Sequence, residues 1–260
     1  MHAEEREKLI LDAMVASGFI TYRDLEARLD ASPATIRRDL TRLEAAGRIV
    51  RVHGGAKLVP QESPETGPLH LAGTPFDQAI TQNLAAKQAI GRVAATLCEP
   101  GEGIMVDGGS TTLQMCPHLE GMDLQVLTNS LHIVNALLAQ PGTRVLVPSG
   151  SVFREQNIIL APAGEDSMPR FHAPKLFMGA AAVGPQGVMQ ADVVLVAAER
   201  RLIDRAEQVI LMVDSSKFHS SSGAIVCGLD EVDIVITDEG VAPAMRENLE
   251  KAGVKVLIAR

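Results

Sequence analysis

Aromatic residues are nearly missing from this sequence: it has six Phe, one Tyr and no Trp among its 260 residues. The core must therefore be aliphatic, and a stacking platform for single-stranded nucleic acid is excluded, because such platforms are built from aromatic faces. Cysteine is as scarce. Cys98, Cys116 and Cys227 show no CxxC spacing, which excludes a disulfide framework and a cysteine-rich zinc site and suits a reducing compartment. Long apolar runs are absent too. The longest uncharged stretch, Leu176 to Ala191, is broken by Gly179, Gly184, Pro185 and Gly187, too interrupted to span a bilayer. The segment Met1-His2-Ala3-Glu4-Glu5-Arg6-Glu7-Lys8 is charged where a signal peptide needs an apolar run. A soluble, cytoplasmic protein is expected, and its length predicts two domains.

An excess of positive charge is confined to one place. The formal net charge is −8, yet residues 1–58 hold ten basic and nine acidic residues, while residues 59–260 hold 14 and 23. Within residues 31–58, Arg37, Arg38, Arg42, Arg48, Arg51 and Lys57 face only Asp39 and Glu44, a local +4. A small basic head on an acidic body fits a duplex DNA contact better than diffuse polyanion binding. Between the two parts, residues 59–76 contain Pro60, Pro64, Pro68 and Pro75, which forbid a regular helix or central strand and predict a linker.

The first 58 residues read as a winged helix-turn-helix. A helix over about Ala3–Ala16 places Leu9, Ile10, Ala13 and Met14 on one stripe and stops at Gly18. Thr21 is an N-cap for a short second helix with Leu25 and Leu29 inward, followed by a turn at Asp30-Ala31. Ser32 caps a third helix that has Pro33 at its first position, runs to about Ala46 and stops at Gly47. With Ile36, Leu40 and Leu43 inward, Thr35, Arg38, Thr41 and Arg42 face out and Arg37 lies on the flank. Two hydroxyls and three guanidinium groups suit phosphates and guanine edges in a major groove. The competing account is a solvated face, with Arg38 paired to Asp39 or Arg42 to Glu26. Arg48–Val52 and Ala56–Val59, joined through His53-Gly54-Gly55, predict a two-stranded wing whose Arg51, His53 and Lys57 reach the phosphate backbone.

The run Ser32-Pro33-Ala34-Thr35-Ile36-Arg37-Arg38-Asp39-Leu40, followed by Leu43, Gly47 and Arg51-Val52-His53-Gly54-Gly55-Ala56, closely resembles the DNA-binding signature of the DeoR/GlpR family. These are bacterial transcriptional regulators of sugar metabolism, so the resemblance implies an operator DNA as partner.

Beyond the linker, short aliphatic strands alternate with helices. Residues 77–97 predict an amphipathic helix, Gly103–Asp107 a strand, Thr111–Leu119 a helix, Leu124–Leu127 a strand and Ser130–Ala139 a helix. Further strands are expected at Arg144–Val147, Lys175–Met178, Val209–Val213, Val232–Ile236 and Val254–Ile258, with helices at Val193–Arg205 and Ala242–Ala252. The pattern is that of an α/β domain with a mostly parallel sheet, in which ligands bind beyond the carboxyl ends of the strands.

Those ends are polar. Asp107-Gly108-Gly109-Ser110-Thr111-Thr112 opens a helix after the first strand, where two glycines let the backbone approach an anion and free N–H groups point at it. An ordinary capped turn explains this segment as well when taken alone. Asn129-Ser130 follow the second strand, Gly150-Ser151 the third, and Asp214-Ser215-Ser216-Lys217 a later one. Together they converge on a phosphorylated, polyhydroxylated small molecule. The D-x-G-S-T-T-like loop, the Thr128-Asn129 turn and the D-S-S-K element resemble the effector domain of the same family, which implies the fold of ribose-5-phosphate isomerase. Arg154-Glu155-Gln156-Asn157 and Phe177-Met178-Gly179-Ala180 resemble the ascorbate-utilisation repressors among its branches, which implies a phosphorylated sugar or sugar acid as effector.

An isomerase-like enzyme carrying a DNA-binding head is the alternative. A proton shuttle between carbons needs a positioned base. The isomerase relatives carry acidic residues after the strand matching Lys175–Met178, whereas here that strand enters Gly179-Ala180-Ala181-Ala182-Val183-Gly184 without a carboxylate. Glu199 is the nearest candidate, and its expected role is a surface partner for Arg200, Arg201 or a neighbouring helix. Cys116-Pro117-His118 lacks a third ligand, and His219 lies in a Ser-rich stretch read as a solvated loop. No catalytic residue, metal or cofactor is expected. A homo-oligomeric repressor, dimer or tetramer, is expected because one head makes too few contacts for specific control.

Overall fold

The computed structural model describes residues 6–7, 9–11, 19–21, 24–25, 29, 31–45, 48–52, 55–58, 76–161 and 168–260, and the chain divides into two compact units, Met1–His70 and Leu71–Arg260. The expected linker, apart from Phe76, lies outside the described residues, as do Gly18, Asp30, Gly47, His53 and Gly54.

In the first unit, Arg6, Glu7, Leu9, Ile10 and Leu11 are helical, as are Asp24 and Leu25. Strand β1 (Phe19–Thr21) precedes helix α1 (Pro33–Ala45), then come β2 (Ile49–Val52) and β3 (Gly55–Leu58). Ser32 Oγ accepts from the Thr35 amide at 3.2 Å, the expected N-cap. The wing differs from expectation in having three strands, β1-β3-β2, with Ile20 opposite Ala56 and Val50 opposite Lys57. Three residues are too few for β1 to reveal a two-residue period. Ile10, Ile20, Leu25, Leu29, Ile36, Leu40, Leu43, Ile49 and Ala56 form the core. Leu9, expected inward, is exposed, since neighbouring helical positions point about 100° apart and Ile10 takes the inward direction.

In the second unit, seven strands form one parallel sheet: β4 (Gly103–Val106), β5 (Gln125–Leu127), β6 (Arg144–Leu146), β9 (Lys175–Met178), β12 (Gln208–Met212), β14 (Ile234–Asp238) and β15 (Lys255–Ala259). Their order is β15-β14-β12-β9-β4-β5-β6, with every pairing parallel. Alternation along the strands feeds two cores. Ile104, Val106, Phe177, Ile210 and Met212 join one, and Met105, Leu176, Met178, Val209 and Leu211 the other, as a sheet covered on both faces requires. The chain builds outward from β4 through β5 to β6, then returns to place β9 on the other flank of β4. The carboxyl ends of β4 and β9 are thus the switch point where such sheets open a crevice.

The covering elements are α2 (Leu84–Ala95), α3 (Leu131–Leu138), α4 (Val193–Ile203) and α5 (Pro243–Lys251). The helix expected over 77–97 is broken into a turn, Phe76–Ala79, and α2, with Asn83 in the left-handed region at φ 51° between them. The segment expected as a helix at Thr111–Leu119 is a 3₁₀ helix, Thr112–His118, with Pro117 inside. A hairpin of β7 (Ser151–Phe153) and β8 (Ile158–Leu160) and a small antiparallel sheet of β10 (Ala182–Gly184), β11 (Gly187–Gln190) and β13 (Ala224–Cys227) complete the unit. These strands of three or four residues were not foreseen, for the same reason as β1. Among the described residues no helix is long and apolar enough to cross a membrane.

Candidate functional site

Helix α1 presents exposed Arg37, Arg38, Thr41 and Arg42, with Thr35 partly exposed. Ser32 Oγ and Thr35 Oγ1 hydrogen bond to each other at 2.9 Å, and Thr41 Oγ1 donates to the Arg37 carbonyl at 2.8 Å. Arg37 and Arg38 have no ion-pair partner among the described residues. Arg42 does: its Nε lies 2.7 Å from Glu7 Oε1 and its Nη2 bonds Asp39. Of the pairings raised from the sequence, Arg38 with Asp39 is not formed, and Glu26, raised for Arg42, lies outside the described residues. Asp39 sits three residues after Ile36 and so lies on the inner stripe, buried. There it also accepts from Arg6 Nε at 2.8 Å and Nη2 at 3.2 Å, joining the first helical segment to α1. The side chains of Arg51 and Lys57, and all of His53, lie outside the described residues.

At the switch point a cavity of about 370 Å³ opens, lined by Asp107, Gly108, Gly109, Ser110 and Thr111 after β4, by Gly179, Ala180 and Ala181 after β9, and by Asn129, Lys217 and Glu199. Asn129 ties the first loop together: its Oδ1 accepts from the Gly108 amide at 2.9 Å and its Nδ2 donates to Asp107 Oδ1 at 3.0 Å. Gly108 is a glycine for packing reasons, because a Cβ there would lie 2.6 Å from Ile158 Cγ2. Thr112 is fully buried and braces the loop, donating to the Asp107 carbonyl at 2.8 Å. Ser130 is likewise buried and caps α3 rather than lining the cavity. Gly150 and Ser151 do not line it. They follow β6, the edge strand, two positions away from the switch point.

Two cations serve this loop, and the sequence pointed to only one. Lys217 lines the cavity and makes no ion pair among the described residues, Asp214 included. Asp214 is held instead by Asn83 Nδ2 at 2.8 Å and by the Ser216 amide at 3.1 Å. Lys87, on α2, is buried, and its Nζ donates to Ser110 Oγ at 3.0 Å and to the Ala79 carbonyl at 2.6 Å. Burial pulls its ammonium below the ordinary lysine range, and Lys217 adds to this while Asp214 opposes it.

Glu199 is not a surface partner for Arg200 or Arg201. It is buried on the cavity side of α4, while Arg200 pairs outward with Glu231 at 2.6 Å and Asp204 at 2.8 Å. Gln190 Nε2 donates to Glu199 Oε1 at 2.5 Å. Burial, and then the neighbouring Asp107, hold the Glu199 carboxyl well above the usual range. Burial likewise raises Asp107 to about 6, against the hydrogen bonds from Asn129 and Gly108. Such a pair holds its protons jointly. Gln190 and the serines 220–222 also line the cavity; the Ser-rich stretch read as a solvated loop thus contributes to the wall, though His219 does not. The sequence signal for Glu199 was its place one turn from Leu195 and Leu202 on the buried stripe of α4. Among the described residues no group of three or more His, Cys, Asp or Glu could hold a metal ion.

Comparison with known proteins agrees with both halves. Residues 6–62 match the DeoR-like helix-turn-helix domain, and residues 82–239 the DeoR C terminal sensor domain. Over 258 residues, 99% of this chain and of each relative, the chain is 30% identical to the HTH-type transcriptional regulator UlaR of Salmonella arizonae and of Escherichia coli K12. Among solved structures, a ribose 5-phosphate isomerase A from Methanocaldococcus jannaschii overlaps 53% of this chain and 55% of its own, at 14% identity and a TM-score of 0.40. A probable sor operon regulator from Shigella flexneri overlaps 65% of this chain and 90% of its own, at 10% identity and a TM-score of 0.42. The two domain matches and the end-to-end identity make the chain a regulator rather than an enzyme, a member of the DeoR family of helix-turn-helix transcriptional regulators.

Proposed function

We propose that this regulator is a cytoplasmic repressor of a carbohydrate-catabolism operon, released from or held on its operator by a phosphorylated sugar or sugar acid. Its working parts are a DNA-binding domain over residues 1–58, a linker over 59–76 and a sensor domain over 77–260. Arg37 and Arg38 read base edges or phosphates, helped by the hydroxyls of Ser32, Thr35 and Thr41, while Arg51, His53 and Lys57 of the wing hold the backbone. Arg42 reaches DNA only by exchanging Glu7 or Asp39 for a phosphate. A homo-oligomer brings two heads to two half-sites.

One observation carries the effector assignment: the loop 107–111 and Lys217 meet in a single cavity at the switch point, with Lys87 behind Ser110. The phosphate sits against the amides and hydroxyls of Gly109, Ser110 and Thr111, between the two lysines. The hydroxylated remainder runs along Asp107, Asn129 and Gln190. Effector binding shifts the population between states that can and cannot span two half-sites, by as much as it prefers one of them.

The test is a thermal-shift screen of the full chain against phosphorylated sugars and sugar acids, in which a ligand at 100 times its Kd adds about 2.7 kcal/mol to the folded state. A hit that is lost in the Ser110→Ala, Lys217→Ala double variant is expected. An equal shift in that variant would empty the proposed pocket.

A further inference from the structure

One polar atom in the cavity wall lacks a well-formed hydrogen bond. Glu199 is 4% exposed, its Oε1 is engaged by Gln190, and its buried Oε2 forms no hydrogen bond of good geometry, although the neighbouring Asp107 carboxylate competes for its proton. A buried polar oxygen left unpaired is costly and is normally matched by protein, water or ligand. The cavity also separates its charges. Lys87 bonds Ser110 in the loop after β4 and Lys217 follows β12, whereas Glu199 lies on α4 against Gln190 and beside Asp107. The two lysines and the Glu199 carboxyl thus come from different elements of the wall.

We propose that Glu199 determines which effector is accepted: its Oε2 carries a proton and donates it in a hydrogen bond to an oxygen of the bound molecule away from the phosphate. This rests on the cavity being the effector site. An ionised Glu199 beside Asp107 would repel a carboxylate or enolate; a protonated one donates to it, and charge-assisted bonds are the stronger kind. The class selected is a sugar phosphate bearing an anionic or carbonyl oxygen at its other end, in preference to a plain polyol phosphate. Burial and the Asp107 charge favour the protonated form.

The proposal makes binding depend on pH. The groups facing Glu199 are Asp107 at the end of β4 and Gln190 on β11; behind it on β13 lies Cys227, whose thiol burial pushes up to about 12 and keeps neutral. Lys217 stands across the cavity, with Lys87 behind the loop. A sugar phosphate is dianionic above its second pKa of about 6, so it does not titrate at alkaline pH. Lys87, lowered by burial, loses its charge at a lower pH than an exposed lysine, and that loss weakens any phosphate ligand, with or without Glu199.

The experiment is calorimetric titration of the full-length protein with phosphogluconate, a hexitol phosphate and inorganic phosphate, between about pH 7 and about pH 9, where each unit of carboxyl titration changes affinity by up to tenfold. Wild type is expected to prefer phosphogluconate near neutrality and to lose that preference as pH rises. Glu199→Gln keeps a donor and is expected to bind phosphogluconate with a shallower pH slope; Glu199→Ala, folded by circular dichroism, is expected to bind it at least tenfold more weakly. Titration in two buffers of different ionisation enthalpy gives a check on wild type alone: phosphogluconate takes up more protons than inorganic phosphate at alkaline pH. Equal slopes for wild type and Glu199→Gln, equal proton uptake for the two ligands, a preference for the hexitol phosphate, or unaltered binding by Glu199→Ala would each overturn the role of Glu199 while leaving the pocket assignment standing. No binding by any of the three overturns both.

Discussion

Lys87 Nζ donates to Ser110 Oγ at 3.0 Å, which ties a buried ammonium to the loop that opens the sensor cavity. A lysine whose folded pKa is depressed costs stability while it is charged, and the cost fades as pH rises through the folded value. An anion beside it reverses that balance. Lys87→Met is therefore expected to leave the ligand-free melting temperature unchanged or raised, while weakening a phosphorylated ligand by about 2–5 kcal/mol. Thermal shift with and without the ligand separates the two effects; a full ligand shift in the variant removes Lys87 from the anion site.

Asp39 predicts a different kind of defect. It is buried and accepts from both Arg6 and Arg42, so Asp39→Ala removes the acceptor they share and is expected to lower the melting temperature of the N-terminal unit. Unfolding monitored by hydrogen exchange in that unit reads the loss. Protection equal to wild type would show that the three charges contribute nothing.

On the exposed face of the same helix the roles divide. Arg38→Ala is expected to weaken operator binding by about 1–3 kcal/mol if it reads a base, or to reduce the salt slope by about one if it holds a phosphate, with stability unchanged. Arg42→Ala, because Arg42 already pairs with Glu7 and Asp39, is expected to cost stability as well. Binding isotherms at several salt concentrations, paired with melting curves, distinguish them; unchanged operator binding in both variants removes α1 as the reading helix.

What the sequence made legible was whatever a local period or cap could carry. Ser32 as N-cap, the inward stripe of Ile36, Leu40 and Leu43, and the parallel strands all have such signals. Lys87 had none of its own, and Glu199 only its place on the stripe of Leu195 and Leu202. Each sits on a helix whose charged residues look solvated until the fold turns that face to the cavity, and Asn83, which breaks the helix before Lys87, adopts a backbone shape that no neighbour announces. Gly150 and Ser151 failed for a topological reason. A polar turn after a strand lines the crevice only if the strand lies near the switch point, and strand order is not a local property.

Gly91 on α2 tests how the loop is supported from behind. A Cβ there would lie 2.4 Å from the backbone carbon and oxygen of Gln114, in the 3₁₀ helix that follows the loop. Backbone cannot swing aside as a side chain can. Gly91→Ala is expected to cost about 1–3 kcal/mol by overpacking, more than alanine regains in helix propensity. A melting temperature equal to wild type would mean that the two elements separate without penalty.

Asp107 gives the sharpest pH dependence. Burial raises its carboxyl from 3.8 to about 6, so the folded chain holds a proton there that the unfolded chain has released. Stability therefore falls as pH rises from about 4 to about 6 and stays lower above, by about 3 kcal/mol at most from this group. Asp107→Asn keeps an oxygen for the Asn129 amide and removes the charge. It is expected to melt higher than wild type at neutral pH, with the gap closing on acidification, as Asp107 takes up its proton in the wild type. Denaturant midpoints for both proteins across that range decide the matter: a constant gap would place the cause in packing, and no gap would mean that the Asp107 charge is already compensated.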